Sequence, residues 1–308
     1  MLKIILIILG VVTSWWQPVG VMAGETKREV GFNLSPSFNE IVLNKDESEK
    51  SFILKITNNT ELSENFRLSV MDFGSLEESA GAAFIATKKS ELENKYALAS
   101  WVSLEKDAVV VDPGKTIPVK VSILNKESLS PGGHYAAVLI NLENRPEGAK
   151  EIVGVNQSYA SLIFVKKTGG EIYKMDLKNI EVDGNWLNVN KTVKMRFQNG
   201  GNVHVVPRGT VEVKDWLNRV VAKGAINVDS LIIMPENFRN YSTTVNPAAL
   251  ALVPGIYNVT LNYRYDGAET FLVKRLKFFY LGWSAVAAVS IVLLVALAKA
   301  ASRKRAQK

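Results

Sequence analysis

The 308-residue chain has no cysteine and only two histidines, His134 and His204. Without thiols there is no disulfide framework, no Cys-ligated zinc and no thiol catalysis. Extracellular folding without disulfides then calls for domains above about 100 residues, large enough to be held by apolar burial. Both histidines lie in or beside strand-like segments with no partner at ligand spacing, so neither a metal site nor a triad is legible. The nucleophile elbow, P-loop, H-E-x-x-H and EF-hand patterns are absent. Carboxylates such as Glu77, Glu78, Glu91, Glu93 and Asp215 are scattered as on a solvated surface. The expectation is no enzyme, no cofactor, no metal and no catalytic residue, and no ligand-binding residue is assigned.

Long helical patterns are also missing between Val30 and Leu276. Phe52, Leu54 and Ile56 alternate with Ser51, Lys55 and Thr57, with Ile53 breaking the polar face. Ile117, Val119, Val121 and Ile123 alternate in the same way, as do Tyr257, Val259, Leu261, Tyr263 and Tyr265. Period two predicts strands. Turn signals separate them at Asn58-Asn59, Pro113-Gly114, Pro131-Gly132-Gly133, Asp183-Gly184, Asn199-Gly200-Gly201, Pro254-Gly255 and Asp266-Gly267. One short helix is predicted near Ser90 and Glu93, which have capping-box spacing. The polar stretch 166–170 reads as a linker between two blocks. Within them, Ile53–Asn59 and Val193–Asn199 form a weak repeat, each a strand ending in polar amides, to which the turn gives a structural role because Gly and Asn tolerate positive φ.

Long uncharged runs occur at the two ends. Residues 278–298 form a 21-residue run followed by Lys299, Arg303, Lys304, Arg305 and Lys308. Its length matches the roughly 20 residues a bilayer-spanning helix needs, and the cations mark the cytoplasmic side. At the other end Lys3, the apolar Ile4–Val12 and Val21-Met22-Ala23 read as a signal peptide. These segments also account for the net charge of +7. They hold six of the 37 basic residues and no acidic one, leaving 31 against 30 outside them. No basic stripe with interleaved aromatics suggests nucleic acid. The fold expected is all-β, two tandem immunoglobulin-like sandwiches and a C-terminal transmembrane helix. The divisions are 1–23 signal peptide, 30–167 first sandwich, 171–276 second sandwich, 278–298 membrane helix and 299–308 basic tail. The expected localisation is a cell membrane, crossed once, with the N-terminal ectodomain outside and the C-terminus cytoplasmic.

Asn58, Asn156, Asn190, Asn240 and Asn258 fit the glycosylation triplet. Trp101, Trp186 and Trp216 are expected to fill sandwich cores.

The first block contains Leu34-Ser35-Pro36, Thr57-Asn58-Asn59, Val111-Asp112-Pro113-Gly114-Lys115 and the run Pro131-Gly132-Gly133-His134-Tyr135-Ala136-Ala137-Val138. The second contains Gln198-Asn199-Gly200-Gly201-Asn202-Val203-His204 and Pro207-Arg208-Gly209. With these segments the chain resembles, over nearly its whole length, the WxL-interacting proteins of Gram-positive cell surfaces. The resemblance implies a bacterial, non-enzymatic, membrane-anchored scaffold that holds a cell-wall polymer (peptidoglycan) or extracellular surface proteins, with the lipid bilayer as a further partner. The chain departs from the pattern in its insertion at 75–100 and its compact second domain. The rival readings are a pilus-chaperone-like assembly factor acting by strand donation and a wall-active hydrolase.

Overall fold

The computed structural model describes residues 31–76, 81–84, 95–143, 158–185, 187, 190–246 and 253–306. The expected signal peptide, the short helix near Ser90, Asn156 and Trp186 lie outside them.

The first ten strands are β1 (Phe32–Ser35), β2 (Phe38–Leu43), β3 (Glu49–Asn58), β4 (Glu64–Leu76), β5 (Gly81–Phe84), β6 (Val102–Leu104), β7 (Ala108–Val111), β8 (Thr116–Leu124), β9 (Gly132–Leu142) and β10 (Ser158–Lys167). They form two sheets, one ordered β1-β3-β8-β6 and the other β2-β10-β9-β4-β5, with β7 also paired to β4. The chain changes sheet between β1, which pairs with β3, and β2, which runs parallel to β10. Period-two side chains face inward as read from the sequence: Leu54, Ile56, Val119, Val121 and Ile123 meet Val138, Ile140, Ile163 and Val165 in one buried cluster, and Ile53 stays exposed. Each such side chain contributes about 1.5–3 kcal/mol on leaving water.

The second sandwich uses β11 (Met175–Asp183), β12 (Lys191–Asn199), β13 (Arg208–Lys214), β14 (Val220–Ile226), β15 (Phe238–Val245), β16 (Gly255–Arg264) and β17 (Leu272–Tyr280). Its sheets are ordered β11-β12-β15 and β14-β13-β16-β17. Val193, Met195 and Phe197 pack on Val211, Val213, Tyr257, Val259, Leu261 and Tyr263. Asp266-Gly267 turns β16 back into β17, as the sequence predicts.

The internal repeat has a physical cause. Asn58 and Asn199 are fully buried at the ends of β3 and β12. The Nδ2 group of Asn58 donates to Leu62 O and Val111 O, each at 2.7 Å, and its Oδ1 accepts Thr60 N–H. Asn199 repeats the arrangement, donating to Val203 O at 2.7 Å and Ile233 O at 3.0 Å and accepting Gly201 N–H. Neither residue has positive φ, so the amide side chain rather than backbone tolerance explains the asparagine. Asn58 is correspondingly unsuited to glycosylation in the folded chain. Replacing Asn199 by Ala strands two buried carbonyls and should cost about 2 kcal/mol in urea unfolding; Asn199→Asp should cost more, because it also buries a charge. A loss of about 0.5 kcal/mol, as at surface sites, would contradict this.

The structure corrects the C-terminal reading. Phe278, Phe279 and Tyr280 belong to β17 and pair with β16, and helix α1 (Gly282–Ala306) begins only after them. The uncharged part of α1, Gly282–Ala298, rises about 26 Å, short of a hydrocarbon core of about 30 Å. Among the described residues no helix is long and apolar enough to cross a membrane. The single-pass localisation read from the 278–298 run is thereby overturned. Trp216 is a second correction: it is 58% exposed on the β13–β14 hairpin, whereas Trp101 packs partly buried against the first core.

Candidate functional site at the sandwich junction

Strand β9 does not alternate. Its first seven residues, Gly132–Val138, are all buried, because one face lies on the first core and the other is covered at the junction with the second sandwich. Tyr135, Ala137, Phe73 and Phe164 form a small cluster there, with Ile232 and Met234 of the second sandwich against it.

Two glycine-rich segments of the sequence meet at this place. Gly133 N–H donates to Asn202 O at 2.8 Å, and Asn202 holds the linker by donating to Gly170 O and accepting from Ile172 N–H. A β-carbon at Gly133 would overlap Tyr135 Oη, so this close approach requires glycine. Below it, the Tyr135 hydroxyl lies 3.2 Å from His204 Nδ1, and Phe164 packs edge-on against the His204 ring. His204 Nε2 lies 3.3 Å from Glu40 Oε1 on β2, and Lys166 of β10 pairs with the same carboxylate oxygen at 2.7 Å. Tyr135 on β9, Glu40 on β2 and His204 in the β12–β13 connection thus come together from positions 164 residues apart in sequence at their widest.

The electrostatics assign the protons. Burial holds the His204 imidazole below its ordinary range, against the opposing pull of Glu40. Burial likewise raises the Tyr135 phenol well above its own, so it stays a donor. The hydrogen bond from His204, aided by Lys166, pulls Glu40 down to about 2. Neutral His204 therefore accepts from Tyr135 at Nδ1 and donates to the Glu40 carboxylate from Nε2. His134 is also lowered by burial, its nitrogens facing Ala97 O and Ser130 O. Acid should accordingly weaken the fold. In the unfolded chain both imidazoles take up protons near pH 6.5, whereas the native rings resist, so stability present above that pH is lost below it. Urea midpoints should fall between pH 7.5 and 5.5, and less so in His204→Gln; identical midpoints would contradict this assignment.

A second contact closes the junction. Lys95 and the Tyr96 hydroxyl both donate to Glu236 Oε1, at 2.8 and 2.9 Å, and Glu236 itself has φ of 63°. Tyr96 sits on the segment that Asp72 pins by accepting Leu98 and Ala99 N–H, each at 2.7 Å.

At the other end of β10 from Phe164 and Lys166, one edge of the first sandwich is unpaired among the described residues. Strand β10 pairs with β9 along its whole length, but with β2 only from Leu162 to Lys167. Leu162 N–H donates outward to Ser37 O, so by alternation Ser158 and Ala160 also point their backbone groups away from β9, where no strand pairs with them among the described residues. No group of His, Asp and Glu that could hold a metal occurs among the described residues. In the sequence nothing marks Glu40 as a junction residue, and Tyr135 is marked by the lost alternation of β9.

The chain is similar to solved structures of chaperones. With the class 5 fimbriae chaperone CfaA it shares 12% identity at a TM-score of 0.42, over 80% of this chain and 98% of that one. With the E. coli chaperone DraB the values are 11% and 0.37, over 81% and 97%, and with the periplasmic chaperone SfaE 8% and 0.35, over 80% and 98%. No family model matches the chain, and no curated protein does.

Proposed function

We propose that the chain is a non-enzymatic, chaperone-like assembly factor that takes an extended segment of another protein onto the open edge of β10. The supporting observation is how β10 is held: a full antiparallel ladder on one side, and on the other a six-residue parallel pairing that leaves Ser158 and Ala160 facing outward. Main-chain pairing recognises a polypeptide, so of the partner classes expected from the sequence a surface protein suits this edge better than peptidoglycan.

The full-length chain should select, from displayed nine-residue peptides, those with alternating apolar residues, and these should slow amide exchange at Ser158 and Ala160. Ala160→Pro removes one outward donor without touching the β9 ladder and should abolish selection with the fold intact. Enrichment unaffected by this substitution, or protection confined to the second sandwich, would overturn the proposal.

A further inference from the structure

A second edge, on the second sandwich and independent of β10, has a different chemistry. Strand β17 pairs only with β16, so its other side is open among the described residues. On its outward face Val273, Arg275, Lys277 and Phe279 follow one another at alternate positions, all exposed, with Phe279 at 52%. Their neighbours on β16 are Asn262, Thr260, Asn258 and Ile256, none acidic. The nearest acid along this face, Glu212 on β13, is already paired with Lys223 at 3.0 Å. Neither Arg275 nor Lys277 has an acidic partner among the described residues. The row therefore reads apolar, cation, cation, apolar, on a chain whose charge outside its terminal segments is close to balanced.

Two occupants can be compared on physical grounds. A second copy pairing through β17 would bring Arg275 and Lys277 near their own counterparts, and like charges opposite one another destabilise a sheet; cations on an edge are a known bar to self-pairing. An extended segment carrying two acids at alternate positions, flanked by apolar residues, meets every side chain of the row favourably. Its apolar ends would cover the exposed Val273 and the Phe279–Ile256 pair. We propose that β17 is a docking edge for an acidic β-segment of a different protein, of the pattern apolar-x-acid-x-acid-x-apolar, added as a further strand of the β14-β13-β16-β17 sheet.

The test uses the full-length chain and synthetic peptides. Acetylated VTETETI should bind with amide-exchange protection along β17, and VTKTKTI should bind about tenfold more weakly, as expected for two reversed cross-strand pairs. N-methylation of alternate VTETETI residues on the paired side should abolish binding, because the ladder needs those donors. Arg275→Glu with Lys277→Glu should reverse the preference between the two peptides. Should that variant misfold, the peptide comparison on the wild-type chain still decides. Equal binding of both peptides, unchanged binding of the N-methylated one, or equal competition by a single-stranded oligonucleotide would overturn the proposal, the last by reducing the edge to a general polyanion patch. Self-association through β17 would overturn it as well.

Discussion

Gly201→Ala should cost about 3 kcal/mol and release the linker from the second sandwich. A β-carbon at Gly201 would overlap Ile172 O and lie 3.0 Å from Lys174 N, and both are backbone atoms that cannot rotate aside. The collision falls where Asn202 exchanges hydrogen bonds with Ile172 and holds Gly133 of the first sandwich. Relief would require the linker to move outward, breaking that set together. Urea unfolding should show the loss, and the Ile172 amide should exchange faster than in the parent. Parent-like stability with a protected Ile172 would show that the loop has slack this account denies it.

Tyr135→Ala should cost about 4 kcal/mol, in the range for deleting a large buried aromatic. Tyr135 is fully buried and touches Phe73, Phe164, Tyr96 and His204, so the space left has walls from both sandwiches. The consequence reaches beyond stability, since one unfolding transition should separate into two as the sandwiches lose their shared contact. Tyr135→Phe keeps the packing and removes only the hydroxyl facing His204, and should cost about 1 kcal/mol with a single transition retained. Similar losses for both substitutions would place the energy in the hydrogen bond rather than the ring.

These residues also show what sequence reading could reach. Strands with one face on a core and one in water keep their period, and β3, β8 and β16 were legible for that reason. Strand β9 was not, because its start is covered on both sides and the pattern of alternation vanishes. Asn58 and Asn199 stand at equivalent places in the repeat, but their shared role depends on carbonyls of Val111 and Ile233 that are distant in sequence. The pairing of His204 with Glu40 left no local trace at all. The C-terminal apolar run misled for the opposite reason: composition counts Phe278–Tyr280 with the helix, whereas cross-strand pairing with Gly255–Tyr257 claims them for β17.

The Gly133, Tyr135, His204 and Asn202 contacts should hold the two sandwiches in one orientation. The chain has no cysteine, so labels on Ser51→Cys and Ser242→Cys, exposed strand positions on the two sandwiches, would report alone. Pulsed electron resonance should give one narrow distance distribution that broadens in Tyr135→Ala. A broad or multiple distribution in the chain carrying only the two labels would show that these contacts do not fix the orientation.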